Sequence, residues 1–107
     1  MLAKKSCVPC EGGVKALSPE KAKELLSELS GWNITSDGNW LEKKFIFKNF
    51  MQALSYINRI GEIAESEGHH PDLSLGWGYA HVRLQTHAVG GLHDNDFILA
   101  SKIDAIQ

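Results

Sequence analysis

The chain has 107 residues, of which 43% are hydrophobic and 22% charged, and its formal charge is −2 at neutral pH. This length and composition suit a single globular domain with its own hydrophobic core. Without a basic excess to neutralise phosphates, direct nucleic-acid binding is disfavoured. No apolar run approaches the roughly 20 residues of a membrane helix, and the first residues lack the apolar stretch of a signal peptide. We therefore expect a cytoplasmic protein that does not enter a membrane.

Residues 1–15 are interpreted as a flexible N-terminal arm that precedes a domain at 16–107. The arm carries a CxxC, formed by Cys7 and Cys10. One CxxC supplies at most half of a tetrahedral zinc site, and a redox CxxC normally follows a strand and opens a helix. This one instead precedes a Glu-Gly-Gly sequence. We expect a structurally minor tail, with a metal or redox role as the alternative.

The first half of the domain predicts a helix followed by a hairpin. Ser18, followed by a proline, is typical of a helix N-terminus, and Gly31 offers a C-terminal stop. Residues 32–35 and 40–47 are rich in aromatic and β-branched side chains, which favours strands, and residues 36–39 are typical of a turn.

A second helix is predicted from about 49 to 67. Asn49 is a candidate N-cap, with Gln52 three residues on as in a capping box, and Gly68 ends the helix. Its inward stripe is predicted from the apolar residues at helical spacing, namely Phe50, Leu54, Ile57, Gly61 and Ala64.

Two further strands and a closing helix follow. Residues 73–77 alternate, and a second alternation from Tyr79 to His87 has one apolar face, while the other carries His81 and Arg83. The last helix starts at about Asp94. The predicted fold is α+β, with the order α-β-β-α-β-β-α and a four-stranded antiparallel sheet that carries its helices on one face.

All five histidines lie between residues 69 and 93, and the first two follow the predicted helix C-terminus. Histidine gives and takes protons near neutral pH without special tuning, and it also binds metals. Adjacent His69 and His70 cannot both point at one ion from a regular helix or strand, although His87 or Asp96 could approach in space. The block therefore predicts acid–base chemistry or, as the alternative, a metal site.

Proton transfer suits adjacent imidazoles because two charged rings repel, so that one stays neutral while its neighbour is protonated. The alternative for His69 and His70 is a solvated helix end without a catalytic role. His87 precedes a Gly-Gly and could line a pocket, whereas His81 and His93 are interpreted as non-catalytic. Two carboxylates could orient the histidine pair, namely Glu65 and Asp72. Two aromatic residues, Trp32 and Trp77, could stack a heterocycle or pack in the core.

Together these residues resemble the pterin-4a-carbinolamine dehydratase family over about residues 16–106. The resemblance is carried by Ala64-Glu65-x-x-x-His69-His70-Pro71-Asp72, by the aromatic Trp77, and by Leu84-x-Thr86-His87-x-x-Gly90-Gly91-Leu92-x-x-x-Asp96. Gly31-Trp32 and Phe47-Lys48-Asn49-Phe50 are also similar. One departure is His93, which stands where many relatives have a threonine N-cap. We expect Asp94 to be available as the cap instead.

The resemblance implies a lyase that needs neither metal nor cofactor. It would dehydrate 4a-hydroxytetrahydropterin to quinonoid dihydropterin during tetrahydrobiopterin recycling. His69 and His70 would be the acid–base pair, and His87 would bind or polarise the leaving hydroxyl. The residues expected to bind substrate or support the site are Glu65, Trp32, Pro71, Asp72, Trp77 and Asp96.

The resemblance also implies a homodimer or homotetramer. Two other functions are considered. One is a non-catalytic protein-binding module or dimerisation cofactor on the same fold, and the other is a metal-dependent hydrolase built on the histidine cluster. An intact set of three histidines, His69, His70 and His87, favours the enzyme over the adaptor, which has no need of them.

Overall fold

The structure is a computed structural model that describes residues 5, 7 and 15–106. Most of the predicted arm, including Cys10, lies outside the described residues. The elements are α1 (Pro19–Leu26), β1 (Asn33–Ile34), β2 (Leu41–Ile46), α2 (Phe50–Glu67), β3 (Asp72–Gly76), β4 (Tyr79–Leu84) and α3 (Asp94–Asp104). This order confirms the prediction. No helix in the described part of the chain is long and apolar enough to cross a membrane.

The four strands form one antiparallel sheet in the order β1-β2-β4-β3. The predicted alternation along β4 is confirmed, because Ala80, Val82 and Leu84 are fully buried while the intervening residues are partly exposed. The buried face packs with the helices in a core that includes the fully buried Phe97 and Leu99 of α3. The sheet therefore has one covered face and one open face.

The start of α1 is confirmed and its end is corrected. Ser18 Oγ accepts a hydrogen bond from the Lys21 backbone N–H at 3.2 Å. The helix stops at Leu26, before the predicted stop at Gly31, because the following N–H groups bond three residues back and tighten the chain. Gly31, at φ +82°, instead turns the chain into β1.

Both ends of α2 are confirmed. Asn49 Oδ1 accepts from the Gln52 N–H at 2.8 Å. The Gln52 side chain reaches back to the Lys48 N–H at 3.0 Å, one residue before the cap. At the other end Gly68 adopts φ +66°, a left-handed conformation that glycine enters at no steric cost.

The predicted inward stripe of α2 is confirmed at Ala64 and wrong at Phe50 and Gly61, while Leu54 and Ile57 are half-buried. Ala53, Ile60 and Ala64 are buried, whereas Phe50 is 43% exposed and Gly61 is exposed. The helix carries two overlapping apolar stripes, and periodicity alone does not choose between them. The choice comes from packing on β3, β4 and α3.

The second half of the sheet ends earlier than predicted. β3 stops at Gly76, so Trp77 lies in the β3–β4 turn and is 74% exposed. β4 stops at Leu84, and residues 87–89 form a short 3₁₀ turn rather than a strand end. The Thr86 N–H donates to the Gly91 carbonyl at 2.9 Å, which closes a loop around this turn. The loop places His87 beside the C-terminal end of α2.

Candidate active site

A cavity of about 590 Å³ lies where the C-terminal end of α2, the loop after β4 and the start of α3 meet. Three of the five histidines line it: His69, His70 and His87. Its other lining residues are Cys7, Glu65, Ser66, Glu67, Gly68, Gln85, Thr86, Ala88 and Asn95. The lining is rich in groups that accept and donate hydrogen bonds, so the cavity offers several polar contacts to a ligand.

His69 is held by a fully buried carboxylate. Its Nε2 lies 2.6 Å from Asp96 Oδ1, and its side chain is only 11% exposed. Asp96 Oδ2 accepts two further hydrogen bonds, from Thr86 Oγ1 at 2.9 Å and from the His93 backbone N–H at 3.0 Å. A carboxylate so bonded is an acceptor, so His69 Nε2 is the donor. In the neutral ring Nδ1 is then the proton-accepting atom.

His70 has the same kind of partner in the opposite environment. Its Nε2 lies 2.7 Å from Glu65 Oε1, and the two side chains are 63% and 82% exposed. Glu65 lies on the last turn of α2, five residues before His70. The contact with His70 at the solvent-facing rim of the cavity supports the predicted role of Glu65 in orienting an imidazole.

The end of α2 sends the two histidines in different directions. The Gly68 N–H bonds to the Glu65 carbonyl, and the His69 N–H bonds to the Ala64 carbonyl, both at 3.2 Å. These bonds wind the chain back over the helix end and satisfy carbonyls that have no partner within the helix. His69 then faces inward toward Asp96, and the next side chain faces the cavity mouth.

The predicted start of α3 at Asp94 is confirmed, but its N-cap differs from the prediction. His93, and not Asp94, is the N-cap, because its Nδ1 accepts from the Asn95 N–H at 3.1 Å. The carboxylate of Asp96 reaches back to the His93 N–H and completes a capping box. An imidazole nitrogen here does what a threonine hydroxyl does at an N-cap. The same capping box anchors the carboxylate that holds His69.

His87 is positioned by an aromatic neighbour. Its ring is edge-on to that of Trp40, with centroids 6.2 Å apart and an interplanar angle of 82°. Trp40 directly precedes β2, the strand that pairs with β4. The β2–β4 pairing thus brings a tryptophan from the first half of the chain against a histidine of the cavity wall.

Cys7 is a cavity-lining residue that the sequence analysis missed. Its backbone N–H donates to Glu67 Oε1 at 2.8 Å, and its Sγ lies 3.6 Å from the Asn95 carbonyl. Burial, reinforced by the carboxylate of Glu67, raises the pKa of the Cys7 thiol to about 12, so the thiol stays protonated at neutral pH. No local sequence signal could have found these two contacts, because Cys7 lies 60 positions before Glu67 and 88 positions before Asn95.

Five residues predicted to support the site do not line the cavity: Trp32, Pro71, Asp72, Trp77 and Asp96. Asp96 lies beneath the wall and contacts the lining residue His69. Trp32 is buried and donates from Nε1 to Asp104 Oδ2 at 2.9 Å, which ties the start of β1 to the end of α3. Trp77 is exposed in its turn. Asp72 is exposed at the start of β3, and Pro71 is half-buried just before it. The sequence pattern that pointed to these residues therefore did not correspond to a place at the cavity wall.

Among the described residues, no group of three or more histidine, cysteine, aspartate and glutamate side chains is arranged to hold a metal ion. The cavity histidines are instead engaged in pairs, with a carboxylate in two cases and with an indole in the third.

A family model described as pterin 4 alpha carbinolamine dehydratase matches residues 15–106. The chain belongs to this family. A protein of Halorhodospira halophila, provisionally named pterin-4-alpha-carbinolamine dehydratase, is 50% identical over 105 residues, which cover 98% of this chain and 96% of that protein. A Methylococcus capsulatus protein with the same provisional name is 46% identical, with 98% and 92% covered.

Two solved structures share the fold of this family member. A transcriptional coactivator/pterin dehydratase from Brucella melitensis superposes with a TM-score of 0.81 at 27% identity, over 85% of this chain and 97% of that one. A pterin dehydratase-like protein, described as a RuBisCO assembly factor in the alpha-carboxysome, gives a TM-score of 0.60 at 21% identity, over 70% and 87%. The second likeness concerns the fold alone.

Proposed function

We propose that this protein is a lyase that dehydrates 4a-hydroxytetrahydropterin to quinonoid dihydropterin and water, and so returns the pterin for reuse after hydroxylation reactions in the cytoplasm. The observation that carries the proposal is the convergence of His69, His70 and His87 on one cavity, two of them paired with carboxylates. Membership of the dehydratase family supports the same reaction.

The reaction needs two proton transfers and no redox change. The bond from carbon 4a to its hydroxyl breaks, and the departing oxygen takes a proton and leaves as water. The neighbouring ring nitrogen loses a proton, and its electron pair forms the new carbon–nitrogen double bond. One proton is delivered and one is removed, so an acid and a base at the same cavity satisfy the balance.

His69 and His70 are assigned as the acid–base pair. With Nε2 of His69 donating to Asp96, Nδ1 is the atom that exchanges a proton with the pterin. The same holds for His70 and Glu65 at the rim, where protons exchange readily with solvent. His87, which lines the same cavity, is assigned to bind the leaving hydroxyl. All three assignments place an imidazole within one substrate-sized space.

The test is the dehydration rate of freshly generated 4a-hydroxytetrahydropterin. His69→Ala and His70→Ala are each expected to lower the rate by about two orders of magnitude, as removal of a positioned general acid or base does. His81→Ala is the matched control, because this histidine lies on the open sheet face and pairs with Glu42 at 3.6 Å. If all three variants match the wild type, the acid–base assignment is wrong.

The second candidate, a protein-binding or dimerisation module, draws on exposed apolar side chains. The large hydrophobic residues exposed in the described part of the chain are Ile46, Phe50, Met51 and Trp77.

The same exposed residues suit contacts between subunits, and we propose a homodimer or homotetramer. A monomeric mass by light scattering at micromolar concentration would overturn this assembly. A wild-type protein without dehydratase activity would leave the binding function as the better proposal.

A further inference from the structure

We infer that Trp40 and Arg83 are positioning residues for His87, and that they fix the imidazole that faces the leaving hydroxyl. This inference rests on the proposed function, in which His87 acts on the substrate. It concerns residues outside the histidine cluster, on two paired strands and their flanks.

His87 differs from the other cavity histidines in how it is held. His69 and His70 each bond to a carboxylate, whereas within the described part of the chain the ring of His87 has an aromatic contact, to Trp40, and no hydrogen bond or ion pair. It also lies on an exposed 3₁₀ turn, where a side chain has freedom to choose another rotamer. The edge-to-face contact with Trp40 therefore selects the orientation of this imidazole.

Trp40 is itself held by a cation. The Arg83 guanidinium carbon lies 4.3 Å from the centroid of the indole ring, within the range of a cation–π contact. Arg83 Nε in turn pairs with Glu42 Oε2 at 3.2 Å, and Arg83 and Glu42 are register partners across β2 and β4. The indole thus connects a charged cross-strand pair on the open sheet face with an imidazole in the cavity.

The chain offers a matched control for this arrangement. Lys44 Nζ lies 5.0 Å from the ring centroid of Tyr79 on the same two strands. This pair has the same cation–π chemistry, but among the described residues the aromatic contact to a cavity histidine is made by Trp40 and not by Tyr79. A loss that came from weakening the sheet face in general would affect both pairs, whereas a loss of positioning affects the Trp40 pair alone.

The kinetic test is a double-mutant cycle between Trp40 and His87. Trp40→Leu is expected to lower kcat for dehydration about three- to tenfold with KM little changed, which is the size of effect that an aromatic pair supplies. Trp40→Phe keeps a ring edge contact and restores most of the rate, and Tyr79→Leu matches the wild type. In the His87→Ala background, Trp40→Leu has no further effect, because the imidazole it positions is gone. Multiplying losses in the double variant would overturn the inference.

A second readout does not depend on dehydratase activity. The imidazole proton resonances of His87, assigned by their loss in His87→Ala, are expected to move in Trp40→Leu and in Arg83→Gln, because both change the ring beside them. The resonances of His69, whose partner is Asp96, stay in place. Unmoved His87 resonances would overturn the positioning role even in an active enzyme. Moved resonances in a protein without dehydratase activity would support the positioning and reject the proposed reaction.

Discussion

Two adjacent histidines in this protein make the same contact in opposite surroundings. His69 bonds to Asp96 at 2.6 Å, with that carboxylate fully buried, and His70 bonds to Glu65 at 2.7 Å, with both partners mostly in solvent. The distances differ by 0.1 Å between these two contacts, yet the energetic consequences differ greatly. A buried charged group without its partners is costly, whereas an exposed ion pair contributes little.

The difference assigns separate tasks to the two pairs. Asp96 bonds to His69, Thr86 and His93, so it joins the end of α2, the loop after β4 and the start of α3. The inner pair, His69 and Asp96, is thus a catalytic candidate that also connects three elements of the fold. The outer pair, His70 and Glu65, can exchange partners without disturbing the core, which suits a residue that exchanges protons with water.

The largest expected effect separates the two carboxylates. Asp96→Asn places an amide group against donors that need acceptors, and we expect it to lower the free energy of unfolding by about 3 kcal/mol. Glu65→Gln is the matched change at the outer pair, and we expect a loss below about 1 kcal/mol. Urea unfolding followed by circular dichroism measures both. Equal losses would show that burial does not distinguish the two pairs.

A smaller effect concerns the helix end that separates the two histidines. Gly68→Ala forces a Cβ into a left-handed conformation, at a cost of about 1 kcal/mol, although no atom lies within 4 Å of that Cβ. Gly61→Ala, on the same helix and also in open space, is expected to stabilise the protein by about 0.5–1 kcal/mol.

The opposite signs make this pair of variants informative. Thermal unfolding measures the two shifts, and the dehydration assay asks whether the altered exit from α2 also displaces His69 and His70. We expect the assay to detect the change in Gly68→Ala alone. A stabilising Gly68→Ala would contradict the assigned left-handed cap.

An effect of similar size tests whether the contact between His69 and Asp96 depends on the cap of α3. His93→Ala removes the imidazole acceptor from the Asn95 N–H, and we expect a loss of about 1 kcal/mol. His93→Thr supplies a hydroxyl cap and recovers most of that stability. Chemical denaturation of the three proteins measures the series. A His93→Thr variant no better than His93→Ala would show that the imidazole does more than cap the helix.

Local signals in the sequence predicted the parts of the fold that depend on neighbours along the chain. Ser18, Asn49 and Gly68 are caps because each satisfies backbone groups within four residues, so a short stretch of sequence is enough to predict them. The alternation along β4 could be predicted for the same reason. The histidine cluster and the family resemblance also predicted that His69, His70 and His87 line one pocket, and all three line the cavity.

The sequence by itself therefore determined the order of elements, the N-caps of α1 and α2, the glycine that ends α2, the apolar face of β4 and the histidine pair that follows α2. The tertiary structure alone decided which stripe of α2 is buried, that Trp32 bonds to Asp104, that Asp96 lies beneath His69, and that Trp40 meets His87. The physical reason is range. Caps and alternation are set by groups a few residues apart, whereas these contacts join residues 27 to 72 positions apart, and they exist only once the sheet has paired and the helices have packed on it.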